Sequence, residues 1–236
     1  MQPDVVQKLL QVNQTFYDSF ADSFSHTRKM INNGFDDLLT AVPEGAKSLL
    51  DVACGNGRFG KYLFEHDAIQ SYTGVDFSAE LLKIAREITG GAVYQRDLTQ
   101  PDALDGLGQF DIVACLAALH HIPGEDLKVR LLKNMKARLS ENGRIFLSMW
   151  EFMDSERQQR KVRDWSEIGL SPEDVGPNDY LLTWQTGGFS YRYACMIDEA
   201  ETAVLAEKAG LKIIKQFRSD GREGNLSLYA VLEKLD

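Results

Sequence analysis

Cysteine is scarce in this chain of 236 residues. Three occur, Cys54, Cys115 and Cys195, an odd number with no close pair. That argues against a disulfide framework and points to reduced thiols in a cytoplasmic protein. No apolar run reaches the roughly 18 residues of a helical membrane span. The N-terminal MQPDVVQKLL lacks the basic stretch and apolar run of a signal peptide. Internal repeats and low-complexity tracts are absent. Positive charge is also short: 26 Lys and Arg stand against 35 Asp and Glu, a formal net charge of −9. This argues against a surface that grips nucleic acid by bulk attraction; a local basic patch or a basic partner stays open. What remains is ordinary for a globular protein, 44% hydrophobic and 26% charged. The length suits one domain, 1–236, with a large core.

Residues 3–40 read as helical, because Val5, Val6, Leu9, Leu10, Phe16, Phe20 and Phe24 recur at helical spacing. Strands and helices then alternate. The strands are expected at 48–53, 72–77, 92–98, 110–119 and 144–150. Helices are expected from about 58 to 65, at 79–88 behind the N-cap Ser78, and at 125–139 before a stop at Asn142-Gly143. Segment 151–185 breaks the pattern with a polar and aromatic stretch containing Trp165, Tyr180 and Trp184. Asp198 and Glu201 fit a capping pair for a helix at 199–209. Strands at 211–217 and 225–234 follow, and the loop between them is too short for a crossover, so they are antiparallel neighbours. The expected fold is α/β: a Rossmann-like, mostly parallel seven-stranded sheet with helices on both faces and a C-terminal antiparallel hairpin. Residues 1–42 read as an N-terminal helical lid and 151–197 as an insertion capping the active-site edge.

LLDVACGNG, residues 49–57, joins a strand to a glycine turn, and a second strand ends in Asp76, 19 residues after Gly57. A strand, a glycine turn and a helix let a nucleoside lie against backbone, and an acid at the next strand tip can grip ribose hydroxyls. GNGRFG, 55–60, satisfies the dinucleotide fingerprint. Three features favour S-adenosylmethionine over a dinucleotide. Asp51, four residues before Gly55, would attract a cationic methionine end and repel a pyrophosphate. Asp97, followed by Leu98, can accept an adenine N–H while the leucine packs on the ring. The terminal hairpin also fits.

DVACGNG, GVDFS, RDL and FDIVACLAALHHI together resemble the class I S-adenosylmethionine-dependent methyltransferases over about residues 45–150. The resemblance implies S-adenosylmethionine as cofactor and S-adenosylhomocysteine as product. It implies cofactor contacts from Tyr17, Asp51, Ala53, Gly55, Asn56, Gly57, Asp76, Phe77, Asp97, Leu98, Leu116 and His121. A narrower resemblance runs through TFYDSFADSFSHTR (15–28), LHHI, SMWEF, DYLLTWQ (179–185), FSYRYACM (189–196) and GNLSLYAVLEK (224–234). These pieces are similar to the tRNA methyltransferases that esterify 5-carboxymethyluridine at the wobble position. Glu141-Asn142-Gly143 departs from that family's proline-glycine-glycine. The partners implied are tRNA and a small activator subunit; the alternatives are a small-molecule acceptor taking O- or N-methylation, or a cofactor-binding scaffold.

A carboxylate acceptor is already ionised at neutral pH, so it needs positioning more than a base. Arginine's planar fork suits that task. Arg28 and Arg192 are the candidates for orienting it, and each reads equally as a surface salt-bridge partner. His120, taken as the one facing the substrate, and His121 follow the fourth strand; either could instead cap the loop. Adjacent side chains diverge, so this pair is not read as a metal site, and no metal is expected. Tyr17 reads as a lid over the methionine end or as core with Phe16 and Phe20. Trp150 could stack on a base. Two basic clusters, Arg157, Arg160, Lys161 and Arg163, and Lys128, Arg130, Lys133, Lys136 and Arg138, could meet phosphates or form solvated faces.

Overall fold

The computed structural model describes residues 1–27 and 32–235 and, for residues 21–27, backbone only. In chain order the elements are α1 (Pro3–Thr27), α2 (Gly34–Leu39), β1 (Ser48–Val52), α3 (Arg58–Glu65), β2 (Ser71–Asp76), α4 (Ala79–Thr89), β3 (Ala92–Gln95), β4 (Phe110–Leu116), α5 (Glu125–Ala137) and β5 (Leu139–Trp150). Then come α6 (Glu156–Gln159), β6 (Val162–Arg163), β7 (Asp179–Trp184), β8 (Ser190–Cys195), α7 (Glu199–Ala209), β9 (Leu211–Ser219) and β10 (Ser227–Lys234).

Seven strands form one sheet in the order β3-β2-β1-β4-β5-β10-β9. β1 to β5 are parallel to one another, and β10 lies antiparallel between β5 and β9. The central strands are apolar runs because helices cover both faces. On one face Phe35, Leu38, Phe59, Tyr62 and Leu82 pack on Leu49, Ile112, Phe146 and Tyr229. On the other, Leu131, Leu132, Met135, Leu205 and Ala206 pack with Val5 and Leu9 on Leu50, Val113, Leu147 and Leu228. This is the expected seven-stranded Rossmann-like fold with its antiparallel hairpin. The strand order reverses between β1 and β4, so the loops leaving these strands open a crevice at the sheet's carboxyl edge. A second sheet, β6-β7-β8, is antiparallel and comes wholly from the segment after β5. Its Tyr193 and Leu181 join the core that also holds α1 residues Val5 and Leu9.

Local differences from the sequence reading have local causes. The helical stretch read over 3–40 holds two helices, α1 and α2. α1 has non-helical torsions at Phe20, and α2 starts at Gly34, where a Cβ would lie 2.3 Å from the Tyr229 ring. β3 stops at Gln95, and Asp97 instead closes a turn, accepting from the Thr99 N–H at 2.9 Å. β4 ends at Leu116 because Ala117 turns with φ +55°. α5 ends at Ala137, so Asn142-Gly143 is not its stop but lies inside the long β5. The extra residues there are absorbed by a register shift against β4 between Phe110 and Ile112. A Cβ at Gly143 would lie 2.9 Å from the Phe110 carbonyl oxygen. Ser78 and Asp198 cap α4 and α7 as expected, each accepting the N–H three residues on.

Candidate active site

The crevice is a cavity of about 280 Å³. The β1 tip supplies Ala53 to Asn56, the β2 tip Asp76 and Phe77, the turn after β3 Asp97 to Thr99, and the β4 tip Leu116 to Ala118. His121 and Ile122 follow, and α1 closes the remaining side with Leu10, Asn13, Gln14 and Tyr17. Ala53 and Ala117 stand at the tips of adjacent strands with φ +58° and +55°. A left-handed alanine is strained, and strain of this kind collects at ligand sites. Both kinks turn the backbone along the cavity wall.

Asp76 is 5% exposed. Its Oδ2 accepts from the Gly55 N–H at 2.8 Å and its Oδ1 from the Ser78 N–H at 2.9 Å. Lone-pair capacity beyond these bonds remains on the carboxylate for a ribose hydroxyl. Burial pushes its pKa up, against the pull of the backbone N–H groups of Ser78, Gly55 and Phe77. Asp97 is exposed at the cavity rim. Burial would raise its pKa, but hydrogen bonds from Gln100 and Thr99 and the charge of Arg130 hold it below the usual carboxylate range. Phe77, Leu81, Leu98 and Leu116 form an apolar slot beside these acids. Asp51 is 3% exposed and lies beneath the glycine turn, not on the cavity wall. The Tyr72 hydroxyl donates to it at 3.3 Å, and burial lifts its pKa to about 7. Gly57 also lies behind the wall. Its φ is +76°, and a Cβ would lie 3.0 Å from Ala85 of α4, so it sets the packing of α3 on α4.

Tyr17 stands edge-on to Phe77 at 5.6 Å and to His121 at 5.9 Å, at the cavity mouth, while its neighbour Phe16 is fully buried. His121, not His120, is on the cavity wall. Its Nδ1 is 2.8 Å from the Tyr193 carbonyl oxygen. Asn13 ties this corner together: its Nδ2 donates to the His121 carbonyl at 3.1 Å, and its Oδ1 accepts from the Tyr193 N–H at 2.8 Å. His120 is 1% exposed; its Nδ1 accepts from the Trp150 N–H at 3.3 Å, and its carbonyl accepts from the Cys195 thiol. The two histidines sit in a 3-10 turn, which rotates successive side chains about a third of a turn apart.

Arg192 of β8 is 5% exposed and is not on the cavity wall. Its guanidinium lies 4.7 Å from the Trp150 ring, 5.2 Å from Phe16 and 5.9 Å from Trp184. Burial, and then the charges of Arg192 and Arg157, lower the pKa of Lys161. These cations come from α6 (Arg157), the turn before β6 (Lys161) and β8 (Arg192), and Arg192 stands beside Trp150 at the end of β5. Arg28 lies outside the described residues. The basic series on α5 is not one solvated face: Lys128 is 4% exposed and pairs with Glu201, and Arg130 donates to the Thr99 carbonyl.

Asn13 and Arg58 are among the wall residues that escaped the sequence reading. Asn13 shares a helical face with Leu9 and Phe16, and a lone amide on an apolar stripe was its signal. Arg58 follows directly on the glycine turn.

An acid at the β2 tip, another in the turn after β3, an apolar slot between them and a glycine turn with a left-handed backbone fit a nucleoside cofactor of S-adenosylmethionine type. Residues 50–145 match the family model of a methyltransferase domain. A protein of Encephalitozoon cuniculi named as a methyltransferase is 29% identical over 223 residues, 93% of both chains. The tRNA (carboxymethyluridine(34)-5-O)-methyltransferase of Xenopus tropicalis is 30% identical over 69% of this chain, which spans 25% of that protein's length. A ubiquinone biosynthesis O-methyltransferase of Coxiella burnetii is 31% identical over 71% of this chain and 64% of its own length. Among solved structures, an S-adenosylmethionine-dependent methyltransferase from Clostridium acetobutylicum superposes with a TM-score of 0.67 at 14% identity, covering 92% of this chain and 98% of that one. The chain carries a methyltransferase domain in the Rossmann-like fold of the S-adenosylmethionine-dependent enzymes. Among the described residues no helix is long and apolar enough to cross a membrane.

Proposed function

We propose that the chain methylates a carboxylate on a modified wobble uridine of tRNA. The observation that carries this reading is the buried Arg192 guanidinium, held by Trp150, Phe16 and Trp184 with Lys161 beside it. An acidic protein that gathers cations beside the end of β5 offers an anion a place to bind. When bound, S-adenosylmethionine supplies a methyl group on a sulfonium centre. Asp76 holds the ribose hydroxyls, Asp97 accepts from the adenine amine, and Leu98 and Leu116 flank the ring. Residues 1–42 act as a lid through Tyr17, and residues 151–197 act as the cap that presents Arg192. Arg192 orients the acceptor carboxylate for in-line approach; Arg28 is proposed as a second cation. His120 braces Trp150 from behind. The acceptor is already an anion, so no strong base is required. The tRNA part of the reading draws on the Xenopus tropicalis relative and on the motifs of residues 15–28 and 179–196.

A second reading is a small-molecule O-methyltransferase, as in the name of the Coxiella burnetii relative. His121 favours it. A ring whose Nδ1–H donates to the Tyr193 carbonyl carries the imidazole lone pair on Nε2, where a hydroxyl acceptor would need a base.

The test is incubation with methyl-labelled S-adenosylmethionine and tRNA carrying 5-carboxymethylated wobble uridine. Label released as methanol by mild alkali is the expected result and identifies a methyl ester. No incorporation with cofactor binding intact, alone and with a small activator subunit added, sinks the tRNA reading.

A further inference from the structure

Arg58 is the one lysine or arginine among the described residues that line the cofactor cavity. It is the first residue of α3, directly after the glycine turn. Its guanidinium donates to the Asn32 Oδ1 at 3.0 Å and lies over the Phe35 ring at 5.5 Å. The other end of the Asn32 amide donates to Asp220 Oδ2 at 2.9 Å and to the Tyr229 hydroxyl oxygen at 3.1 Å. The Tyr229 hydroxyl donates to the same Asp220 oxygen at 2.6 Å, and the Gly34 N–H reaches Oδ1 at 3.3 Å. Tyr229 is fully buried and Asp220 is 9% exposed.

The chain is anchored hard at this point. Asp220 has φ +66°, in the turn between β9 and β10. Gly34 lies so flat on the Tyr229 ring that a Cβ there would come within 2.3 Å. The network therefore runs from the terminal hairpin, through the start of α2, to the cavity wall. Residues separated by 188 positions, Asn32 and Asp220, meet in one hydrogen bond. The amide orientation follows from its neighbours, since oxygen must face the arginine and nitrogen the carboxylate. Asp220 acts on Arg58 through Asn32, which fixes the plane of the guanidinium.

The methionine end of the cofactor carries a carboxylate as well as an ammonium group. The floor of the glycine turn holds the carboxyl groups of Asp51 and Asp76, which offer an anion no attraction. A site that accepts this end needs a cation at the turn, and arginine's fork matches a carboxylate.

We infer that Arg58 receives the α-carboxylate of S-adenosylmethionine, and that Asp220, Tyr229 and Asn32 are positioning residues that aim it. The inference rests on the cofactor assignment and is independent of the acceptor.

Isothermal titration with S-adenosylhomocysteine and with its decarboxylated counterpart, S-adenosyl-3-thiopropylamine, tests it. Wild type binds the first about tenfold to a hundredfold tighter, the range of a hydrogen bond to a charged group. Arg58→Met collapses this ratio to about threefold or less and leaves the decarboxylated ligand bound no more weakly. Asn32→Ala and Asp220→Asn, which keep Arg58, each shrink the ratio about fivefold. A general loosening of the fold would weaken both ligands and leave the ratio alone. If Asp220→Asn does not fold, Asn32→Ala carries the positioning test. A ratio unchanged by Arg58→Met overturns the carboxylate assignment, and one unchanged by Asn32→Ala overturns the positioning role. Failure of wild type to bind either ligand would instead overturn the cofactor assignment.

Discussion

At the scale of single residues, the most consequential group is Asp51. Burial lifts its carboxyl to about 7, the Tyr72 hydroxyl only partly opposes this, and the Asp76 charge adds to it. Between about pH 4 and pH 7 the unfolded chain has released this proton and the folded chain has not. The folded state therefore binds more protons, and the free energy of unfolding falls as pH rises through that window. Above it the dependence flattens. The loss is on the order of a few kcal/mol. Asp51→Asn should raise the apoprotein Tm at about pH 8 by several degrees and shrink the difference between about pH 5 and pH 8. Melting curves across pH check this, and an unaltered slope would refute it. Glu151, also near 7 through burial, titrates in the same window and leaves a residual slope. The spacing of Asp51, Asp76 and Asp97 was legible because strand tips can be counted. The choice between His120 and His121 was not, because a 3-10 turn sets neighbours a third of a turn apart and no periodicity marks which of them meets the cavity.

At the scale of elements, the root of the segment 151–197 is fastened by one arginine. Arg218 of β9 makes a two-pronged contact with Glu199 at the start of α7, at 2.8 and 3.1 Å. It also pairs with Asp154 and, at 3.5 Å, with Glu151, which is 1% exposed and has one oxygen without a hydrogen-bond partner. Removing the arginine strands a buried carboxylate, a loss of about 3–5 kcal/mol when that charge must persist. Here it need not persist, because Glu151 can take a proton. Arg218→Met should therefore destabilise strongly at about pH 8 and less at about pH 6. Denaturant midpoints at the two values decide it; an equal loss at both would show that Glu151 is not the group at stake. None of this was legible beforehand, since the partners lie on three elements and no local pattern joins them. The extended β5 was hidden for another reason. Asn142-Gly143 has the chemistry of a helix stop, yet a bulge against β4 uses the same residues. By contrast, the sheet with its hairpin was readable, because apolar strands, capped helices and one short loop admit few topologies.

At the scale of the whole molecule, net charge bears on the acceptor. A chain at −9 repels a polyanion except where Arg157, Lys161 and Arg192 gather. If tRNA is the acceptor, those few contacts carry the attraction, and KM should rise steeply with salt, by about tenfold or more between 50 and 200 mM. A small metabolite would show a shallow dependence. Turnover against salt at fixed S-adenosylmethionine separates the two, and a flat profile with tRNA would count against the RNA reading.

The position of β10 has a consequence for synthesis. It comes last in chain order among the strands of this sheet, yet it lies inside the sheet, with Leu228 to Leu232 wholly buried. Until residues 227–234 leave the ribosome, β5 presents a bare edge and β9 has no neighbour in the sheet. The growing polypeptide can assemble its nucleoside crevice from β1 to β4 early, but it must wait for its final strand to seal. A nascent chain stalled before that strand is a candidate for chaperones, and the completed domain is not.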